Sequence, residues 1–343
     1  PQFAELMVKE GRADLVAFGR QSLADPAMPK KALEERLEDM TPCIACLQGC
    51  VANMYAGNPI CCLTNPFLGH EAEPIAKTEN PKKVMVIGGG VAGLCAAFIA
   101  KEKGHEVTLY EAGDVLGGNM RLAAYPPGKG DITNMIRSYI HRCQKDGVKI
   151  VMNCEVTPEL IKEEKPDSVI IATGSKTLIL PIEGIDNPAI IHGSDLLDGK
   201  RPAGKKVLVV GGGMVGCETA AFLGEQEHDV TVIEFRDTVG ADVIHEHRVY
   251  LMKDFEDYGI KEITGAKVCK FYEDGVEYET ADGVRHETRG YDSVILSMGF
   301  RNYNPLEEKI KDLVPETHVI GDAIRARRAL DATKEAYEVA SRL

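Results

Sequence analysis

The sequence predicts an α/β fold in which one strand–turn–helix–strand unit occurs twice. Two observations carry this. Lys83 to Glu111 reads KVMVIGGGVAGLCAAFIAKEKGHEVTLYE, and KKVLVVGGGMVGCETAAFLGEQEHDVTVIEFR repeats it further along. In both copies the acid lies 23 residues after the first glycine of a G-x-G-x-x-G turn. A short apolar run breaking into glycines and resuming as a helix is the pattern of a buried parallel strand feeding a helix.

In the first copy, Val84 to Ile87 reads as the strand and Gly88, Gly90 and Gly93 as the turn, with Ala92 inside it. The helix runs through Ala100 and ends by Gly104, and Glu106 to Tyr110 forms the next strand. Gly88 permits a tight turn, Gly90 lets backbone approach a pyrophosphate, and Gly93 lets helix and strand pack closely. The free N–H groups and dipole of the helix start hold the negative charge. Glu111 then accepts ribose hydroxyls of an adenosine. In the second copy Gly211, Gly213, Gly216 and Glu234 take the same places. These are two Rossmann-like dinucleotide-binding domains. A carboxylate at the second ribose favours NADH over NADPH, whereas Arg236, two residues on, could accept a 2′-phosphate.

Composition narrows the function class. The 343 residues are 44% apolar and 27% charged, with net charge −13 and no Lys/Arg run. That excludes nucleic acid and anionic membrane as expected partners. No apolar stretch reaches bilayer span and no signal peptide opens the chain. A chain opening on Pro1, without Met, reads as one from which a part has been removed. Ten cysteines, four of the key ones close together, suit a metal or redox site in a reducing cytoplasm. A homo-oligomer is compatible with all of this.

Before the first copy, Phe3 to Lys9 reads as a helix, Asp14 to Phe18 as a buried strand, Gly19 and Arg20 as its loop, and Pro29 to Leu37 as another helix. Next come Cys43, Cys46 and Cys50 at C-x2-C-x3-C, then Cys61 and Cys62. Clustered thiolates are soft ligands for iron–sulfur or zinc, and a Cys43/Cys46 redox dithiol is a further alternative. Cys95 and Cys143 read as core fillers.

The order of these segments, C-x2-C-x3-C-x11-C followed by L-x-N-P, and LVAFGRQSLADPAMPKK resemble the 2,4-dienoyl-CoA reductase, 2-enoate reductase and trimethylamine dehydrogenase family. These are old yellow enzyme-type flavoproteins. The resemblance implies that residues 1–42 are the end of a (β/α)8 TIM barrel, with Gly19 and Arg20 at an FMN phosphate site that is incomplete here, so that no FMN is expected on this chain alone. It implies a [4Fe–4S] segment at 43–80 with Cys43, Cys46, Cys50 and Cys62 as ligands, Cys61 being a neighbour one residue out of register. With the barrel absent, residues 1–80 are expected to lose order. An FAD domain is implied at 81–184 plus 298–343, and an NAD(H) domain at 185–297.

By the same resemblance Gly118, Asn119 and Arg121 lie near the flavin pyrophosphate. Ala172, Thr173 and Gly174 pass close to the dinucleotide. Gly321 and Asp322, read as a short strand, close the FAD site, Asp322 accepting a ribityl hydroxyl. The implied activity carries hydride from NADH to FAD and electrons through the cluster to FMN in the barrel, the parent reducing an enoate or dienoyl-CoA C=C bond. This chain would then show diaphorase activity at most and carry no substrate-site catalytic residue. Two other readings stay open. One is a module holding ADP instead of FAD, as in trimethylamine dehydrogenase. The other is a thioredoxin reductase-like disulfide oxidoreductase, although the second copy has no C-x-x-C.

Overall fold

A computed structural model describes residues 1–343 and divides into two compact units. The first comprises Pro1–Arg121, Asp131–Gly174 and Asn302–Leu343, the second Leu122–Gly130 and Ser175–Arg301.

The first unit is built on an all-parallel sheet in the order Glu316–Val319, Ser168–Ile171, Lys83–Ile87, Glu106–Tyr110, Lys149–Val151. Such a sheet is covered on both faces, so its central strands are apolar throughout rather than alternating. Val84, Val86, Ile170 and Ile171 accordingly have almost no exposure. The helix Val91–Glu102 buries every residue from Val91 to Ala100. It is apolar all round and is enclosed rather than laid on a surface. Its small residues, Ala96, Ala97 and Ala100, let the helices Asp131–Lys145 and Ala329–Ala340 approach it. Phe98 and Ile99, both 0% exposed, each contribute about 1.5–3 kcal/mol by burial. The helix Asp131–Lys145 is amphipathic and turns Met135, Ile136, Tyr139 and Cys143 inward, one or two residues per turn.

The second unit repeats the design. Its parallel sheet runs Ile191–His192, Ser293–Leu296, Lys206–Val210, Asp229–Ile233, Lys261–Ile263. Met214–Glu225 is the enclosed helix. An antiparallel meander of Lys267–Tyr272, Gly275–Glu279 and Arg285–Thr288 is added, with a register shift between Val268 and Lys270.

The segment before the first sheet departs from expectation in three places. Asp14 to Phe18 is not a strand. A strand needs a neighbour for its N–H and C=O groups, and none lies beside this stretch, where Leu15 is 89% exposed. The expected helix over Pro29 to Leu37 is the shorter Met28–Leu33, followed by a 3-10 turn at Leu37–Asp39. Residues 43–80 are not loose but packed on the first unit. Ile44 and Leu63 join its core, and the buried Tyr139 hydroxyl donates to the carbonyls of Leu63 at 3.0 Å and Thr64 at 3.3 Å. Gln21 accepts from Cys43 N at 2.9 Å and donates to Thr41 O at 2.9 Å. The largely buried Asp39 carboxylate takes His141 Nε2 at 2.9 Å and Lys145. Those partners, Lys145 first, hold its pKa well below the usual carboxylate range.

Candidate functional site

At the first turn each glycine has a separate reason. Gly88 has φ of +109°, and a Cβ there would lie 2.3 Å from Ala172 O. A Cβ on Gly93 would lie 1.9 Å from Gly88 O, so only glycine lets this helix sit on its strand. Gly90 differs, because a Cβ on it meets nothing within 4 Å. Its backbone borders open space at the start of a twelve-residue helix, the place where a pyrophosphate is held.

Glu111 is fixed by its surroundings. Gly89 N–H donates to Oε2 and Gly113 N–H to Oε1, both at 2.7 Å. A carboxylate with two oxygens retains lone pairs for two further donors, as a ribose diol would supply. Gly117 N–H donates to Gly89 O at 2.8 Å, and a Cβ on Gly118 would lie 3.2 Å from Gly90 Cα. Gly118 opens a 3-10 stretch, Gly118–Ala124, that carries Asn119 and Arg121. These residues fit an adenine dinucleotide: open backbone at Gly90, an oriented acid at the ribose position and a glycine wall beside them.

The far end of the chain returns to the same place. A Cβ on Gly321 would lie 3.1 Å from Ala92 Cβ, which sets Gly321 and Asp322 against the first turn. They form a 3-10 turn, Gly321–Ala323, and not a strand. Gly321 has φ of +63°, outside strand geometry. Glu335, unremarked in the sequence, accepts the Gly321 N–H at 2.7 Å and pairs with Arg327. Arg328 caps the helix Ala329–Ala340 together with Asp331. Thr173 Oγ1 donates to Tyr303 O at 2.5 Å and Tyr303 N to Gly174 O at 2.9 Å, so the Ala172–Gly174 turn is tied to the returning chain.

The second unit reproduces this geometry. Gly211 has φ of +106°, and its Cβ would lie 2.4 Å from Ser297 O. A Cβ on Gly216 would lie 1.8 Å from Gly211 O. Glu234 accepts Gly212 N–H at 2.6 Å and Arg236 N–H at 2.9 Å. At Gly213 a Cβ would meet both carboxylate oxygens of Asp242 at 3.5 Å, and Met214 N–H donates to Asp242 Oδ1 at 2.9 Å. A partly buried ion pair, Lys129 with Glu218, joins the short Leu122–Gly130 segment to the Met214–Glu225 helix. Glu218 is two residues past the last glycine of the turn, an acid in an otherwise apolar helix face, and that was the legible signal for it.

The cysteines before the first sheet lie close together. Burial first, and then the charges of Cys62, Cys50 and Cys43, push the Cys46 thiol up to about 11, against a Gln48 backbone N–H that favours the thiolate. Ala45 and Leu47, on either side of Cys46, have φ of +51° and +56°. Alternating backbone of this kind gathers N–H groups on one side of a loop, as at many iron–sulfur sites. Gly49 makes room for the second cysteine pair, since a Cβ there would lie 2.5 Å from Cys61 O. Cys61 Sγ accepts from Asn53 Nδ2 at 3.5 Å, whereas Cys62 Sγ lies 3.3 Å from Thr64 Oγ1. No three His, Cys, Asp or Glu side chains converge closely enough to hold a single metal ion. Gly19 and Arg20 lie exposed at the start of a five-residue helix, Arg20–Ala24. Cys95, Cys143 and Cys217 are buried core residues, and burial pushes the thiols of Cys143 and Cys217 up to about 12.

Two glycine turns, each answered by a backbone-anchored carboxylate, define a two-dinucleotide oxidoreductase. Residues 82–315 match the model of the pyridine nucleotide-disulphide oxidoreductase family, and the chain belongs to that family. A flavin and NAD(P)H are the cofactors this membership supports. Within it the chain groups with the enoate reductase and trimethylamine dehydrogenase flavoproteins. It is 36% identical to an NADH oxidase of Thermoanaerobacter brockii, covering 99% of this chain and 53% of that protein. It is 32% identical to a cinnamate reductase of Clostridium sporogenes, covering 100% and 52%. The solved 2-naphthoyl-CoA reductase complex with 2-naphthoyl-CoA matches with a TM-score of 0.95 and 34% identity over 100% of this chain and 52% of that one. The chain thus spans about half the length of the relatives it matches. The thioredoxin reductase of T. acidophilum shares the fold at a TM-score of 0.57 and 19% identity. No helix is long and apolar enough to cross a membrane.

Proposed function

We propose that this chain is the electron-entry half of a longer NADH-dependent reductase that acts on an activated C=C bond of an enoate or acyl thioester. The observation that carries this reading is the double occurrence of one device, Glu111 held by Gly89 and Gly113 and Glu234 held by Gly212 and Arg236. One unit would hold a resident FAD and the other the exchanging NADH.

In the first unit, Gly88, Gly90 and Gly93 with Ala92 would receive the FAD pyrophosphate, Glu111 its adenosine ribose, and Gly118, Asn119 and Arg121 the phosphate flank. Ala172, Thr173, Gly174, Gly321 and Asp322 would border the flavin half. In the second unit Gly211, Gly213, Gly216 and Glu234 would hold NADH. Glu234 at the ribose position favours NADH, although Arg236 meets it only through its backbone N–H and keeps its guanidinium apart from that acid.

Cys43, Cys46, Cys50 and Cys62 would bind a [4Fe–4S] cluster. The three thiols acting most strongly on Cys46 are the other three of this set. Four thiolates in one segment could supply one ligand to each iron of a cubane. When bound, the nicotinamide supplies hydride, the flavin converts two-electron into one-electron chemistry, and the cluster carries single electrons.

A barrel domain is the expected acceptor partner. The helix Gln2–Lys9 buries none of its residues, and Leu15 and Leu33 are 89% and 86% exposed. Apolar surface of this kind is normally covered, and a barrel to which residues 1–42 belong would cover it and complete an FMN site at Gly19 and Arg20. The protein purified without oxygen is expected to be yellow, to give an EPR signal on reduction, and to reduce ferricyanide with NADH but no enoate. A colourless protein holding ADP would move the first site to the trimethylamine dehydrogenase type. Product from an enoate would overturn the division of labour.

A further inference from the structure

The two glycine turns correspond residue for residue, and the correspondence continues past the acids. Gly117 N–H donates to Gly89 O at 2.8 Å, and its counterpart Gly240 N–H donates to Gly212 O at 2.7 Å. Two residues beyond those glycines stand Asn119 in the first unit and Asp242 in the second. They occupy the same place in the repeat and differ by one charge.

The surroundings of the turns differ accordingly. In the first unit nothing lies within 4 Å of a Cβ built on Gly90. In the second, the Asp242 carboxylate faces Gly213 with both oxygens and takes the N–H of Met214, the first residue of a twelve-residue helix. The amide at this point is among those a dinucleotide pyrophosphate uses. A carboxylate placed there is favoured by the helix dipole for the same reason a phosphate is. Two anions cannot share the position.

We propose that Asp242 acts as a built-in competitor for the dinucleotide pyrophosphate at the second turn, and that this charge makes the second site an exchanging one while Asn119 leaves the first site retentive. The inference rests on assigning NADH to the second unit. Entry of NADH exchanges one anion for another at Met214 N–H, and release is assisted by the carboxylate returning. A resident cofactor gains nothing from such competition, and the first unit carries a neutral amide.

The test uses the purified chain with its flavin and NADH itself as probe. Calorimetric titration is compared for wild type, Asp242→Asn and Asp242→Ala, and stopped-flow displacement gives the release rates. The amide keeps an acceptor for Met214 N–H and removes the charge, so Asp242→Asn is expected to bind NADH about three- to tenfold tighter, chiefly through slower release. Asp242→Ala removes the acceptor as well as the charge, so its difference from Asp242→Asn isolates the cap, and it is expected to tighten binding too. The reciprocal Asn119→Asp is expected to lose flavin on gel filtration. Unchanged or weaker NADH binding in both Asp242 variants, with wild type binding normally, overturns the inference while leaving the site assignment standing. Failure of all three proteins to bind NADH overturns the assignment and the inference with it.

Discussion

Glu111 accepts the backbone N–H of Gly89 at 2.7 Å, so the acid that answers the first glycine turn is held by the turn itself. This explains why motif and acid must come as a pair. The glycine peptide orients the carboxylate, and the carboxylate satisfies a peptide N–H that the turn leaves pointing outward. Glu111→Ala is therefore expected to free both Gly89 and Gly113 N–H groups and remove the ribose acceptor. At about 1.5–3 kcal/mol for a hydrogen bond to a charged group, flavin content should fall at least tenfold. The ratio of flavin absorbance to protein after gel filtration checks this, and undiminished content would contradict the assignment.

The glycines separate folding from binding. Gly93→Ala and Gly216→Ala place a methyl 1.9 and 1.8 Å from the backbone oxygens of Gly88 and Gly211, the first glycines of the two turns. Each should cost about 1–3 kcal/mol or more and lower the melting temperature. Gly90→Ala meets no protein atom and should melt as wild type when stripped of cofactor. Its flavin affinity should still drop, because the added methyl stands where the pyrophosphate would lie. Equal destabilisation of all three variants would refute this separation.

Cys61 and Cys62 are adjacent; in the proposed ligand set Cys62 is the fourth thiolate, whereas Cys61 Sγ accepts from Asn53 Nδ2 at 3.5 Å. Cys62→Ser should abolish the reduced-cluster EPR signal and lower bound iron, whereas Cys61→Ser should keep both. The opposite pattern would exchange their roles.

Tyr139 anchors the cysteine segment through the Leu63 and Thr64 carbonyls. Tyr139→Phe removes a buried donor and leaves two acceptors short, at about 1–3 kcal/mol. The loss should be local, appearing as faster protease cleavage within residues 43–80 before any change in the sheet. Cleavage at the wild-type rate would show that the anchor contributes little.

Asp39, paired with Lys145, His141 and Arg36, has a folded pKa below its ordinary value. A depressed carboxylate contributes stability above its unfolded pKa, near 3.9, and loses it as pH falls through the folded value. Asp39→Asn should thus melt below wild type at pH 7. The gap should narrow as pH drops below about 4. A gap that does not change with pH would assign the effect to packing instead.

The sequence by itself determined the two strand–turn–helix–strand units, the acids that answer them and the buried helices, because these depend on local chemistry. A tight turn with positive φ admits only glycine at Gly88 and Gly211, and an all-apolar stretch can only be enclosed. It also marked the clustered cysteines.

Only the tertiary structure decided the rest. It set Gly321 against Ala92 across most of the chain and assigned residues 122–130 to the second unit, where Lys129 meets Glu218. It also left Asp14 to Phe18 without a strand's partners, since pairing depends on a neighbour that local propensity cannot supply. The charge that distinguishes Asp242 from Asn119 is visible in the chain. Its position over the Met214 N–H is not, because it arises from how a loop folds back on a helix that begins 28 residues earlier.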